Sequence, residues 1–300
     1  SLNHRLLDLS AAPVLFTKVC DIVWTNGRAE PRAVLAVQDG QLAYRLEPVV
    51  FVTNELMLEL GKQADTERLL EQLVNDLLTL INNSLNGQAP WKQLQMDCDW
   101  TRGSANTYFQ FLSLLKTRLP EGVDLSATVR LHQWRDFAEQ GVPPVDRGCL
   151  MAYNSGELGN WETENSILDT AISAAYLKNR NYPLALDLAL PLYRWGVIYR
   201  RGELAYLVND LTAESLNDSS RFEALSEYRY RVKASTYLAG IYCYKDDLIR
   251  LESSDSERLL TTARQLKVVP RFAGQRLLFF RQGGELADGI DTTFLRNLGH

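Results

Sequence analysis

Short runs rich in β-branched and aromatic residues alternate along this chain with stretches in which apolar positions recur every three or four residues. The first run, Leu15–Trp24, reads as a strand that ends at the turn signal Thr25-Asn26-Gly27. Leu2–Leu9 ahead of it reads as a short helix, and Ala33–Val37 as a minor strand ending at Asp39-Gly40. Glu47–Thr53 is nearly continuous in apolar residues, as in strands buried on both faces, and it delivers Asn54 and Glu55 at its end. Leu69, Leu70, Leu73, Leu77, Leu80 and Ile81 then predict an amphipathic helix over Glu67–Ile81, with Thr66 as its N-cap.

The same alternation continues. Gln93–Asp99 predicts a strand, and Tyr108, Phe111, Leu112 and Leu115 place one face on a helix over Ala105–Arg118 that stops at Leu119-Pro120. Strands follow at Leu125–Leu131, Gly148–Tyr153 and Leu184–Leu192, with a helix over Asn165–Leu177 between the last two. Tyr228–Tyr244 alternates aromatic and basic residues and fits either strands or a helix face. A helix over Ser256–Leu266 with a capping box from Ser254, a strand over Gln275–Arg281 closed by Gly283-Gly284, and a helix over Thr292–Leu298 complete the chain. Strands alternating with helices argue for βαβ units and a parallel sheet. About seven such strands are legible where a closed (β/α) barrel needs eight, so the first was lost ahead of Ser1 or one is unrecognised. The expectation is a TIM-type barrel formed by residues 1–300 as a single domain, with 204–250 inserted before the last strand.

Composition narrows the functional classes. With 46% hydrophobic and 23% charged residues the chain has the makeup of a soluble protein with a full core. A net charge of -5 without a long basic run gives no sign of a nucleic-acid partner. No apolar segment approaches the roughly 20 residues that span a bilayer. Ser1–Leu9 lacks the basic start and apolar core of a secretion signal, which is consistent with a mature form from which a signal has been removed. Cys20, Cys98, Cys149 and Cys243 are scattered, most within predicted strands, as expected of buried thiols, although spacing leaves a disulfide open. His4, His132 and His300 do not cluster either, so neither a metal nor a cofactor is expected. No oligomeric state can be read from the sequence.

The candidate chemistry centres on Gln93–Arg102. On an extended strand, alternate side chains share one face about 6–7 Å apart, so Gln95, Asp97, Asp99 and Thr101 line one side and Met96, Cys98 and Trp100 the other. Carboxylates opposite an apolar face are costly to bury without partners. They predict either a polar network that fixes a strand end or an acid pair at the mouth of a barrel. Glu55, at another strand end, is a candidate second acid. Paired with Asp99 it would have to lie about 5–5.5 Å away for retention or 6.5–9.5 Å for inversion. Arg130 and His132 sit at a third strand end, where Arg130 could pair with Asp97 or Asp99 and His132 could act as a base. Trp24, Trp134 and Trp195 lie near strand ends, where exposed indoles would stack on sugar rings and buried ones would be core. Asp21 and Asp187 share the strand-end pattern.

Asp97-Cys98-Asp99-Trp100 before a helix, Met151-Ala152-Tyr153, and Leu190-Pro191-Leu192-Tyr193, in that order, resemble glycoside hydrolase family 18, the chitinases and endo-β-N-acetylglucosaminidases. A nearer likeness, through the Gln-x-Asp-Cys-Asp-Trp-Thr, Arg-Leu-His-Gln and Leu-Met-x-Tyr-Asn segments, is to uncharacterised barrel proteins of bacterial envelopes, often lipoproteins. These resemblances imply a barrel, a glycan partner and an envelope or periplasmic location, with Tyr153 and Asn154 at the substrate. Asp97 and Asp99 match the second and third acidic positions of the family motif Asp-x-x-Asp-x-Asp-x-Glu. Leu94 replaces the first, and Thr101 stands where the catalytic Glu would be. A threonine cannot act as a general acid at neutral pH. The resemblance therefore implies a glycoside hydrolase-like protein that acts on or binds an N-acetyl-sugar glycan, with a non-catalytic carbohydrate-binding or structural envelope protein as the alternative.

Overall fold

The computed structural model describes residues 14–37, 42, 44–177, 182–281 and 290–298. The expected Leu2–Leu9 helix, the turns at Asp39-Gly40 and Gly283-Gly284, and His4 and His300 lie outside the described residues. By its internal contacts the chain divides into two compact units. The first comprises Ser1–Leu150, Asn181–Asp187 and Pro270–Gln275, and the second comprises Met151–Arg180, Leu188–Val269 and Arg276–His300.

The first unit is built on strands β1 (Val14–Thr25), β2 (Arg28–Arg32), β3 (Arg45–Val52), β4 (Gln93–Asp97) and β5 (Asp124–Arg130), with most of β6 (Arg147–Met151) and the start of β7 (Leu186–Pro191). They lie side by side in the order β2-β1-β3-β4-β5-β6-β7. The pairings of β1 with β3, β3 with β4 and β4 with β5 are parallel. At the other side of β1, Asn26 and Gly27 both take positive φ (52° and 77°) and fold β2 back antiparallel in a two-residue hairpin. The expected closed ring is not what the described residues form, because this hairpin places β2 beside β1. The minor strand is correspondingly Arg28–Arg32, and Ala33–Val37 is not a strand.

Helices α1 (Asn54–Gly61), α2 (Thr66–Ser84) and α3 (Ala105–Arg118) cover one side of this sheet, followed by short α4 (Leu131–Arg135) and α5 (Phe137–Gln140). Their apolar stripes are buried: Leu56, Met57 and Leu60 on α1, Leu70, Leu73, Val74, Leu77 and Ile81 on α2, and Tyr108, Phe111, Leu112 and Leu115 on α3. Each fully buried leucine of this kind contributes about 1.5–3 kcal/mol. Helix α1 was absent from the sequence expectation because it begins directly at the strand end, capped by Thr53, whose hydroxyl accepts from Leu56 N at 3.2 Å. Thr66 is not the cap of α2. Asp65 precedes the helix, and the Thr66 hydroxyl donates back to the carbonyls of Leu60 and Gln63.

The second unit holds the end of β6 and most of β7, which pairs in parallel with β15 (Leu277–Phe280). Its larger element is a five-stranded antiparallel sheet. It comprises β8 (Arg194–Arg200), β9 (Glu203–Asn209), β10 (Phe222–Ala224), β11 (Arg229–Val232) and β14 (Leu248–Ser253), in the order β10-β11-β14-β8-β9. The hairpin of β12 (Thr236–Leu238) with β13 (Ile241–Cys243) forms a separate two-stranded sheet, so the regular elements within Tyr228–Tyr244 are strands rather than a helix. Ile198, Val208, Leu216, Phe222, Val232, Leu238, Cys243, Ile249 and Leu251 form one buried cluster. Helix α6 (Thr170–Tyr176) is shorter than expected because Asn165–Leu168 are pinned as a loop. The Asn165 side chain accepts from the backbone N–H groups of Ile167 and Leu168, and Asp169 caps the helix. Helix α7 (Ser256–Gln265) is capped by Asp255, while Ser254 instead bonds the backbone of Tyr193; α8 (Thr292–Leu298) is last.

Candidate functional site at the strand ends of the first unit

The alternation along β4 continues beyond its last paired residue. Met96, Cys98 and Trp100 are each 0% exposed on the helix side, where Trp100 stacks on Tyr108 with ring centroids 5.6 Å apart. On the opposite side the residues open progressively, from buried Gln93 and Gln95 through half-buried Asp97 and Asp99 to exposed Thr101. The β4–β5 register sets Gln95 beside Ser126, so Asp97 meets Thr128 and Asp99 meets Arg130 on the same face. The result is a polar ladder. Gln93 Nε2 donates to Ser126 Oγ at 2.7 Å, and Thr128 Oγ1 donates to Asp97 Oδ1 at 2.6 Å. The Arg130 guanidinium grips Asp99 with both arms, at 2.5 and 2.8 Å.

Its electrostatics are asymmetric. Burial pushes the Asp97 carboxyl above the usual aspartate range, and neighbouring Asp99 adds to this. The Thr128 hydrogen bond and the cations Arg130 and Lys18 act against the shift without reversing it. Asp21, within β1, forms an ion pair with Lys18 at 2.9 Å. Asp99 keeps 45% of its side chain exposed and its Arg130 partner 24%, so the upper rung of the ladder is in contact with water.

Two buried braces hold the strand ends. Ser104 Oγ accepts from Thr101 N at 2.9 Å and donates to Asn54 Oδ1 at 2.5 Å, tying the end of β3 to the segment after β4. The Gln133 side chain, fully buried, accepts from Arg130 N at 2.8 Å and donates to the Trp100 carbonyl at 2.9 Å, tying the same segment to β5. Thr128, Ser104 and Gln133 were missed by the sequence analysis. Thr128 was legible in principle, since it shares the face of Arg130 two residues earlier. Ser104 and Gln133 gave no signal, because each bridges a backbone N–H three residues earlier to a group 33 or more residues away.

Other expected residues fall around this ladder or away from it. Glu55 lies in the first turn of α1 and is exposed. His132, on α4, is exposed at its surface, yet partial desolvation of the ring and then the Arg130 charge hold its pKa below the usual histidine value. Trp134 is not an open stacking surface: it is 0% exposed, and its indole N–H has no partner among the described residues. Asp187 is buried against Arg147 at 3.4 Å, a structural ion pair rather than a site group. The four cysteines are buried and form no disulfide, and burial raises the Cys20 thiol to about 11. No group of three or more potential ligands among the described residues is arranged to hold a metal ion. A hollow of about 550 Å³ lined by Asn82, Gln88, Trp91 and Glu121 lies at the start of β4 and β5, the opposite end from Asp97.

Tyr153, Asn154 and Trp195 belong to the second unit. Tyr153 stacks on Phe280 with centroids 5.4 Å apart, and Asn154 Oδ1 accepts from Tyr193 OH at 2.5 Å. Trp195 is buried, packed on Tyr193, and its Nε1 donates to Glu252 at 2.8 Å, so it offers no open ring face.

The described residues form a mixed α/β arrangement on a mainly parallel sheet. Among solved structures the chain resembles the spore cortex-lytic enzyme SleL of Bacillus cereus, with a TM-score of 0.52 and 13% identity over 94% of this chain and 66% of that one. It thus spans slightly under two thirds of that enzyme's length. The chitinase RmChi1 of Rhizomucor miehei is similar at a TM-score of 0.49 and 10% identity, over 95% of this chain and 99% of that one. The family 18 chitinase ChiB of Flavobacterium johnsoniae matches at 0.46 and 11% identity, over 89% and 86%. At these identities the likeness is one of fold. No protein-family model and no curated protein sequence matches the chain. No described helix is long and apolar enough to cross a membrane.

Proposed function

We propose that this protein binds a glycan at the strand ends of its first unit, with Asp97, Asp99 and Arg130 as the recognition groups and an N-acetyl-sugar as the first candidate ligand. The observation that carries this reading is the polar ladder, which ends in a bidentate Asp99–Arg130 pair that is partly open to solvent. Such a pair presents fixed donors and acceptors to sugar hydroxyl and amide groups, and the two braces pre-organise it. Thr101 at the position of the family acid favours binding over hydrolysis.

One observation favours a second, hydrolytic reading. Burial shifts the Asp97 carboxyl upward, the direction a proton donor requires, with Glu55 as the remaining candidate partner. Both readings are separated by one experiment. Binding of chito-oligosaccharides is measured by calorimetry while released reducing ends are followed, for the parent, Asp97→Asn and Asp99→Asn. Glycan binding that Asp99→Asn weakens at least about tenfold, without turnover, supports the first reading. Turnover abolished by Asp97→Asn supports the second. Binding that Asp99→Asn leaves unchanged overturns the first; no turnover by the parent, or turnover that Asp97→Asn leaves unchanged, overturns the second.

A further inference from the structure

A second surface, on the other unit, has its own design. The hairpin β12–β13 sets Tyr237 directly opposite Tyr242, and Tyr244 follows two residues on. Successive ring centroids are 5.0 Å apart, from Tyr237 to Tyr242 and from Tyr242 to Tyr244. The Arg200 guanidinium then lies 4.3 Å from the Tyr244 ring and 5.7 Å from that of Tyr206 on β9. The row is open to solvent: Tyr237 is 70% exposed, Tyr244 52%, Tyr206 44% and Tyr242 41%. The other face of the hairpin is anchored by Leu238 and Cys243 in the buried cluster.

The row is also held in place. Asp247, 3% exposed, pairs with Arg200 at 2.9 Å and accepts from Tyr244 N at the same distance, and Arg200 donates to the Tyr242 carbonyl at 3.0 Å. Four rings that could have been covered are instead displayed, the three on the hairpin packed edge to face at 67° and 88°, an exposed aromatic surface of the kind that marks an interaction site. Aromatic rings with hydroxyl edges offer apolar faces to the C–H side of pyranose rings and donors and acceptors to their hydroxyl groups. Asp247 neutralises Arg200, and Asp218 pairs with Arg221 beside Thr236, so these cations are compensated and the row suits an uncharged chain.

We propose that the Tyr237-Tyr242-Tyr244-Arg200-Tyr206 row is a docking strip for a linear, uncharged polysaccharide, separate from the Asp97–Asp99 ladder. The test is retention of the full chain on insoluble chitin and cellulose. The parent is expected to be retained on at least one polymer, Tyr237→Ala with Tyr206→Ala to lose retention about tenfold or more per ring, and Tyr237→Phe to keep it. Thermal midpoints check that the variants fold. Should the alanine variants unfold, hydroxyl-radical footprinting of the parent with and without polymer decides, protection of Tyr237 and Tyr244 being expected. Asp99→Asn should keep polymer retention while losing soluble oligosaccharide binding, which separates this strip from the ladder. The proposal is overturned if the parent is not retained on either polymer, if the double variant is retained as well as the parent, or if the tyrosines instead mediate self-association that Tyr237→Ala abolishes in sedimentation.

Discussion

Asp97 and Asp99 stand two residues apart on one face, yet they meet opposite environments. Asp99 is held by a guanidinium in contact with water, whereas Asp97 has a single threonine hydroxyl as its near partner and is pushed up by burial. A carboxyl whose folded-state pKa is raised binds its proton more tightly when folded. It therefore contributes stability that is fully present below the ordinary aspartate pKa of about 3.9 and is lost as pH rises through the raised value. Asp97→Asn keeps the acceptor for Thr128 but has no charge to desolvate. Its thermal midpoint is expected to exceed that of the parent at pH 7, the gap closing as pH falls toward 4. A constant gap across that range, in melts followed by circular dichroism, would show that Asp97 is ionised at little cost. A stability gain accompanied by weaker glycan binding would mark Asp97 as a group retained for function at the expense of the fold.

At the level of elements, ion pairs of similar geometry carry different weight. Arg250 and Glu252, neighbours on one face of β14, are both 0% exposed and joined at 2.6 Å. Arg250 also donates to the carbonyls of Asn160 and Trp161, and Glu252 accepts from Ser166 and Trp195. This network fastens the loop after β6 to the antiparallel sheet. Arg250→Met would leave Glu252 as a buried charge without its cation, at a cost of about 3–5 kcal/mol. Arg130→Met, at a pair wet on both sides, should cost about 1 kcal/mol or less. Urea unfolding of the two variants checks the ranking, and similar losses would contradict it. Elements with a strong local signature were legible: α3 spans Ala105–Arg118 as its leucine and aromatic spacing required, and the Asn26-Gly27 hairpin turns where its dipeptide requires. The network around Arg250 was not legible, because its partners lie about 90 residues away and are mostly backbone carbonyls. The helix expected from Asn165 starts only at Thr170, because the Asn165 side chain takes the N–H groups of Ile167 and Leu168 in a local turn that apolar spacing does not reveal.

Across the whole molecule, the parallel sheet could be read from alternation alone, but its closure could not, since β2 occupies an edge through a hairpin whose register no periodicity reveals. The Asp97-Cys98-Asp99-Trp100 segment gave the polar face of the site, while Arg130 and Thr128 reach it through strand register. What the fold leaves open is whether this scaffold lacks only its acid. Thr101 is exposed and shares the side of Asp97 and Asp99, and its backbone N–H is anchored on Ser104, so a longer side chain there should perturb stability by no more than about 0.5 kcal/mol. Thr101→Glu would supply a carboxyl two residues beyond Asp99, the spacing of the family motif. If the ladder is otherwise a hydrolytic site, this substitution should raise the cleavage of a fluorogenic chito-oligosaccharide by about 10²–10⁴-fold over Thr101→Gln, the range a positioned general acid supplies. Adding Arg130→Gln, which releases Asp99 to orient the substrate, should raise it further. No rate above the glutamine control in either variant would mean that the strand ends hold a glycan without being shaped for its cleavage, and that the departure at position 101 belongs to a site built for binding.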